Sequence, residues 1–123
     1  MMKSRDRGKV LLNTYIQKRS KVLHMWNPRF CVLTEKFLIT YKEKGDGSTS
    51  SKSINLDECI GVKNSDKVLN KDYTFELMHK DRSHFFACND RITQDEWIKT
   101  LKKVSKGNNE KKQSVEDRII KRW

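Results

Sequence analysis

The sequence has 123 residues, the size of one domain, and a chain of this length can bury a core without a metal or a disulfide. Hydrophobic and charged residues each make up 35% of it, which predicts polar tails around a smaller folded unit. No apolar run approaches the roughly 20 residues that a membrane-spanning helix needs. We therefore expect a soluble protein whose contact with membranes is peripheral.

The formal net charge of +11 is concentrated at the start of the chain. Residues 1–29 carry eight Lys/Arg against one acid, residues 30–89 nine against nine, and residues 90–123 ten against six. A one-sided cationic field attracts nucleic acid, an anionic membrane or an acidic protein, and a solubilising surface can carry the same charge. Charge alone leaves these alternatives open.

Seven short segments have the composition of β-strands. They are residues 10–18, 29–33, 37–41, 53–56, 59–63, 73–77 and 83–88. Residues 44–51, with two glycines and a Ser/Thr cluster, predict a loop, as does the polar stretch 64–70, and residues 79–82 predict a hairpin turn. Seven strands with short links predict a mainly β, antiparallel sandwich or barrel.

The pattern changes to that of a helix after the last strand. Thr93 and Glu96 have the spacing of a capping box, which predicts that the helix begins there. Apolar residues then recur at helical spacing, and Gly107 predicts the end of a helix of about twelve residues. Residues 107–113 predict a polar linker, and residues 114–123 fit either a short helix or an irregular tail.

No pattern in the sequence indicates catalysis or metal binding. Cys31, Cys59 and Cys88 are widely spaced beside apolar residues, which predicts buried, reduced thiols in a cytoplasmic protein. His79 and His84 share no ligand spacing with them, so we expect neither a metal nor another cofactor. A glycine-rich phosphate loop and a nucleophile elbow are also missing, so we expect a non-catalytic module.

An antiparallel barrel closed by one C-terminal helix with a central tryptophan resembles the pleckstrin-homology (PH) domain. The resemblance lies in five segments taken in order: IQKRS (16–20), WNPRFCVL (26–33), FLITYK (37–42), INLDEC (54–59) and DEWIKTL (95–101). It implies a PH domain over residues 9–106, a basic arm before it at 1–8, and the linker and tail after it at 107–123. The first two strands look most like those of the protein kinase B and Tec kinase members, which bind phosphoinositide headgroups.

The resemblance implies a headgroup-binding cup at the open end of the barrel. Lys18 matches the lysine that ends the first strand of lipid-binding members, Arg29 the arginine that opens the second, and Tyr41 the tyrosine of the third. Lys52 lies where some members have a further headgroup contact. Asn27 departs from the pattern, because many such members carry a basic residue there. We therefore expect weaker or less selective binding than in a member with the full pattern.

The residues predict a similar cup without the resemblance. Side chains two apart on a strand share a face, so we expect three strands each to point an apolar residue inward and a polar one to the rim: Ile16 and Lys18, Cys31 and Arg29, Ile39 and Tyr41. An ammonium and a guanidinium on opposite sides suit a phosphate monoester. We expect Lys21, His24 and Met25, in the first loop, to contact headgroups and the membrane interface, and a plain surface loop is the alternative.

These observations predict a peripheral membrane-targeting module that binds phosphoinositides, or anionic lipids less selectively, at the inner face of the plasma membrane or of endomembranes. The alternative is a protein-interaction module on the same fold with a weak or empty lipid pocket. Lys18 and Arg29 also fit a plainer interpretation as solvated strand ends. We expect a monomer without a nucleic-acid partner, because zinc spacing, a helix-turn-helix and a stacking-aromatic motif are missing.

Overall fold

The structure is a computed structural model that describes residues 8–42 and 51–105. Seven strands form one antiparallel sheet in the order β4-β3-β2-β1-β7-β6-β5. The strands are β1 (Val10–Arg19), β2 (Trp26–Thr34), β3 (Phe37–Tyr41), β4 (Ser51–Asn55), β5 (Cys59–Asn64), β6 (Thr74–His79) and β7 (Ser83–Ala87). A 3-10 turn (Leu56–Glu58) joins β4 to β5, and a one-turn helix α1 (Asp66–Leu69) lies between β5 and β6. Helix α2 (Arg91–Val104) follows β7. The predicted fold class is confirmed.

The core lies between the sheet and α2. Phe75 of β6 stacks on Phe86 of β7 with ring centroids 5.1 Å apart, and on Trp97 of α2 at 6.2 Å. All three side chains are buried, as are Leu77 and Leu101 beside them. Large stacked aromatic rings bury much apolar area, so this cluster attaches α2 to the sheet.

The register of β3 differs from the prediction. The Thr34 hydroxyl accepts the backbone N–H of Phe37 at 2.9 Å and fixes the turn into β3. Leu38 then pairs with Leu33, and Thr40 with Cys31. Residues paired across an antiparallel ladder share a face, so Leu38 and Thr40 point inward. The prediction placed Ile39 inward with Tyr41 at the rim of the same face, whereas the register places both on the face opposite to Leu38 and Thr40, where Ile39 is nevertheless buried.

Helix α2 begins earlier than the capping box at Thr93 and Glu96 predicted. Asp90 is the N-cap, and its carboxylate accepts the backbone N–H of Thr93 at 2.8 Å. Thr93 lies inside the helix of 14 residues. Asp and Thr are both good N-cap residues, so the local sequence offered two starts. Gln94 favours the earlier one, because its buried amide donates to Asp66 Oδ1 at 2.9 Å and to the Thr74 carbonyl at 2.8 Å.

The remaining predictions of local structure have mixed outcomes. The polar stretch 64–70 contains α1 as well as loop. All three cysteines are free and buried, as predicted. Three predicted segments lie wholly or mostly outside the described residues. They are the N-terminal arm (1–8, described only at residue 8), the loop (44–51, described only at residue 51) and the C-terminal segment (107–123), which includes the predicted helix end at Gly107. Within the described ranges, no helix is long and apolar enough to cross a bilayer.

The position of the N-cap gives a stability prediction. Asp90→Ala should lower the free energy of unfolding by about 1 kcal/mol, because it removes the acceptor for an orphan N–H of α2. Thr93→Ala should cost less than about half of that, since it leaves the Asp90 carboxylate and the backbone N–H of residue 93 in place. Urea denaturation of the two variants measures this. A larger loss for Thr93→Ala than for Asp90→Ala would contradict the assigned helix start.

Candidate functional site: a cationic pocket at the ends of β1 and β2

A pocket of about 490 Å³ lies where β1 ends and β2 begins. Seven of the ten described residues that line it are Lys or Arg, and none of the ten is Asp or Glu. The lining residues are Lys18, Arg19, Ser20, Lys21, Asn27, Arg29, Thr40, Lys42, Lys52 and Arg82. Clustered cations in a concave site create a positive potential that attracts anions, and phosphate in particular accepts charge-assisted hydrogen bonds from them.

Lys18 lies at the centre of this set because β1 is paired on both sides at that residue. It pairs with Asn27 of β2 and with Phe86 of β7. Its ammonium nitrogen is 5.8 Å from the centroid of the Phe86 ring, so the side chain passes over the edge of the core. The backbone position of Lys18 is thus fixed by two neighbouring strands.

The ammonium of Lys18 is partly shielded from water and lies near other cations. Burial lowers the pKa of Lys18 from 10.5 to about 8, and repulsion from Arg82, Lys52 and Arg29 adds to this. Desolvation and nearby like charges both disfavour a charged group. A bound anion would supply the counter-charge that the neighbouring cations do not.

Arg29 and Asn27 are held by the backbone around them. Arg29 Nη1 donates to the carbonyl oxygen of Pro28 at 2.7 Å. Asn27 Nδ2 donates to the carbonyl oxygen of Met25 at 3.5 Å, so this amide also braces the loop between β1 and β2. Ser20 closes the same loop, since its hydroxyl accepts the N–H of Met25 at 2.9 Å. The two predicted residues therefore line the pocket with side chains already oriented.

Tyr41 is the predicted site residue that does not line the pocket. It pairs with Phe30 and lies on the outer face of the sheet, whereas Thr40 of the same strand and Lys42, directly after it, line the pocket. The prediction placed Tyr41 on the wrong face because β3 is apolar at successive positions, and such a strand does not indicate which side is buried. The turn at Thr34 sets the register.

Arg82 was missed by the sequence analysis, which assigned residues 79–82 only to a hairpin turn. It enters the pocket from the hairpin between β6 and β7, because β7 is paired to the end of β1. A basic residue at a hairpin beside the first strand is the only signal in the sequence that could have indicated it. Lys21 and Lys52, two of the predicted headgroup-binding residues, line the pocket, and both are exposed.

The loop between β1 and β2 carries apolar side chains into solvent. Val22 is 79% exposed, Leu23 72% and Met25 55%, next to the exposed His24. His24 has a φ of 56°, in the left-handed region, which bends the loop back toward β2. His24 and Met25 were the residues predicted to contact a membrane, and Val22 and Leu23 before them are exposed as well. These side chains flank the cationic pocket.

The buried thiol of Cys31 lies near Lys18 and Arg29. Burial raises the pKa of the Cys31 thiol to about 12, so it is protonated and a poor nucleophile at neutral pH. Among the described residues, no group of three His, Cys, Asp or Glu side chains is placed to hold a metal ion. The donors that converge on the pocket are ammonium, guanidinium, amide and hydroxyl groups.

Comparison with known proteins identifies the family. Residues 10–106 match the family described as PH domain, which is more than three quarters of the chain. The chain belongs to the PH domain family. The PH domain is a non-catalytic type of module.

Individual relatives are distant. The Pleckstrin homology domain-containing protein 1 of Arabidopsis thaliana is 28% identical over 91 residues, which cover 71% of this chain and 63% of that protein. The PH domain of Slm1, solved in complex with phosphoserine, is 26% identical with a TM-score of 0.65 and covers 78% of this chain and 95% of its own. The C-terminal PH domain of pleckstrin, solved with D-myo-Ins(1,2,3,4,5)P5, is 21% identical with a TM-score of 0.67. The match covers 79% of this chain and 99% of the pleckstrin domain. The chain thus spans less than two thirds of the curated relative.

The lowered pKa of Lys18 predicts a pH-dependent cost to stability. Because its pKa is about 8 in the fold against 10.5, the charged form favours unfolding, fully below pH 8 and decreasingly between pH 8 and 10.5. Lys18→Met should therefore raise the free energy of unfolding at pH 7, by about 1 kcal/mol after allowance for solvent screening.

Urea denaturation at pH 7 and pH 10 of Lys18→Met, with Lys99→Met on the exposed side of α2 as the matched control, measures this difference. The gain from Lys18→Met should shrink at pH 10, and the control should change little at either pH. A gain that is the same at both pH values would contradict a desolvated ammonium at Lys18.

Proposed function

We propose that this PH domain binds the phosphorylated inositol headgroups of membrane lipids in the cationic pocket and so recruits its protein to the cytoplasmic face of anionic membranes. One observation carries the proposal: seven Lys/Arg converge on a single pocket without a carboxylate among its described lining residues. A multiply charged phosphate ligand supplies the missing counter-charge. The ligands of the Slm1 and pleckstrin PH domains, phosphoserine and an inositol pentakisphosphate, belong to the same chemical class and support the proposal.

Two further features favour a ligand that is part of a membrane. The exposed Val22, Leu23 and Met25 project beside the pocket, where they can enter the apolar boundary of a bilayer once a headgroup is bound. Each cation near an anionic leaflet adds about 1 kcal/mol, so the surrounding lysines strengthen recruitment without selecting a headgroup. Headgroup contact and loop insertion then act together.

Selectivity in this proposal comes from the whole pocket and not from the second strand alone. Asn27 brings no charge, and its amide is partly engaged with the loop. Lys52 and Arg82 supply cations on the other sides. We infer modest selectivity among phosphoinositides, and the likeness of the first two strands to those of protein kinase B and Tec kinases stays a prediction.

The pocket is tested by co-sedimentation with vesicles. Lys18→Ala and Arg29→Ala should each weaken binding to vesicles containing phosphatidylinositol 4,5-bisphosphate by roughly 10- to 100-fold, the loss expected for one charge-assisted contact. Lys36→Ala, an equal loss of charge in the exposed turn between β2 and β3, is the matched control and should bind within about twofold of wild type.

The same vesicles with phosphatidylserine at equal charge, at two salt concentrations, separate headgroup recognition from general attraction. If wild type binds both vesicle types equally and Arg29→Ala changes neither, the headgroup proposal is wrong. A protein partner retained by Lys18→Ala and Arg29→Ala without lipid would instead select the protein-interaction alternative.

The loop is tested separately. Leu23→Ser should reduce binding to phosphoinositide vesicles by about 10-fold, because burying part of a leucine side chain contributes on the order of 1–2 kcal/mol. Its binding to a soluble inositol phosphate should stay unchanged. Ile92→Ser, at an 80% exposed apolar residue at the start of α2, is the matched control and should affect neither. Equal losses for lipid and soluble ligand would contradict insertion of the loop.

A further inference from the structure

Arg82 and His84 form a hydrogen-bonded pair at the wall of the pocket. Arg82 Nη2 donates to His84 Nδ1 over 3.2 Å. Arg82 lines the pocket, and His84 is half-buried two residues along the chain on β7. A guanidinium has donors and no acceptor, so the imidazole nitrogen has to be the acceptor in this contact.

The surroundings of His84 keep its ring in the form that the contact requires. Burial, helped by repulsion from Lys18 and Arg82, lowers the pKa of His84 to about 3. A protonated imidazole has no lone pair to offer, whereas the neutral ring with its proton on Nε2 can accept at Nδ1. At physiological pH the ring is therefore a neutral acceptor.

A second histidine fixes the orientation of this ring. The rings of His79 and His84 meet edge-on, at 87° with centroids 6.0 Å apart. His79 is held on both sides: its Nδ1 accepts the backbone N–H of Asp81 at 3.2 Å, and its Nε2 donates to Glu58 Oε1 at 3.1 Å. A chain of contacts thus runs from Glu58 through both imidazoles to the guanidinium of Arg82.

We propose that His84 is a positioning residue that holds the Arg82 guanidinium in the pocket, so that the β6–β7 hairpin binds a second phosphate group of a multiply phosphorylated ligand. The inference rests on the proposed function. Of the five N–H donors of Arg82 only one is used on His84, which leaves an edge for bidentate binding of phosphate. Lys18 of β1 and Arg29 of β2 line the same pocket from other strands, so a ligand with two phosphates could contact both sets of cations.

Lys80 provides an internal comparison on the same hairpin. Its ammonium lies 3.4 Å from Glu58 Oε2, and it is not among the residues that line the pocket. Removing Lys80 deletes the same charge as removing Arg82, from the same turn. Any difference between the two variants therefore reports position and not net charge.

The experiment is calorimetric titration of the full chain with inositol hexakisphosphate, a soluble probe that needs no membrane. Arg82→Ala should weaken binding by roughly 10- to 100-fold, and Lys80→Ala should stay within about twofold. His84→Leu removes no charge at neutral pH, yet it should weaken binding several-fold. His84→Asn, which can keep an acceptor near Nδ1, should restore most of the affinity.

The double variant Arg82→Ala/His84→Leu should bind no worse than Arg82→Ala alone, because the two residues act through one guanidinium. Thermal unfolding of each variant checks that the fold is retained. Additive losses, or a His84→Leu variant that binds like wild type, would overturn the positioning role.

A ligand-free measurement separates this inference from the proposed function. In the ¹⁵N spectrum of the histidine rings, His84 should stay neutral with an accepting Nδ1 down to pH 5, and Arg82→Ala should shift the Nδ1 resonance. A protonated His84, or a ring that ignores Arg82→Ala, refutes the contact. If the contact is present but wild type does not bind the probe, the proposed function fails and the ligand-orienting role fails with it.

Discussion

The candidate site depends on one ammonium group that the fold holds away from water among other cations. Lys18 is fixed between β2 and β7, over the Phe86 ring, and its pKa is lowered because burial and three neighbouring cations disfavour its charge. Because a desolvated ammonium among like charges is disfavoured, this arrangement opposes folding. The proposed affinity for phosphate and a local cost to stability would thus be two consequences of the same desolvated charge.

The rest of the fold supplies the stability that this arrangement needs. Trp97 joins the stacked Phe75 and Phe86 and fixes α2 against β6 and β7. Gln94 joins the start of α2 to Asp66 and to the first residue of β6 through buried hydrogen bonds. Phe86 belongs both to this core and to the pairing at Lys18, so the packing of the helix and the position of the ammonium are linked through one strand.

The sequence predicted the residues of the site where a charge stands at the end of a regular strand. Lys18 and Arg29 line one pocket because basic residues end β1 and a basic residue lies near the start of β2, which is paired with it. The sequence-based prediction was wrong about the face on which Tyr41 lies, because β3 is apolar at successive positions and either face could be buried. It was also wrong about the helix start at Thr93, because Asp90 is an equally good N-cap residue. It missed Arg82 because pairing between β1 and β7 joins residues more than sixty positions apart.

The sequence by itself determined the mainly β architecture, the closing helix, the buried cysteines and the concentration of positive charge at the first two strands. These features follow from local periodicity and composition, which need no knowledge of distant contacts. Only the tertiary structure decided which face of β3 lines the pocket, that the hairpin carrying Arg82 joins it, and that His84 is a neutral partner there. Each of these depends on register, on long-range pairing or on burial, and a single strand read alone contains none of the three.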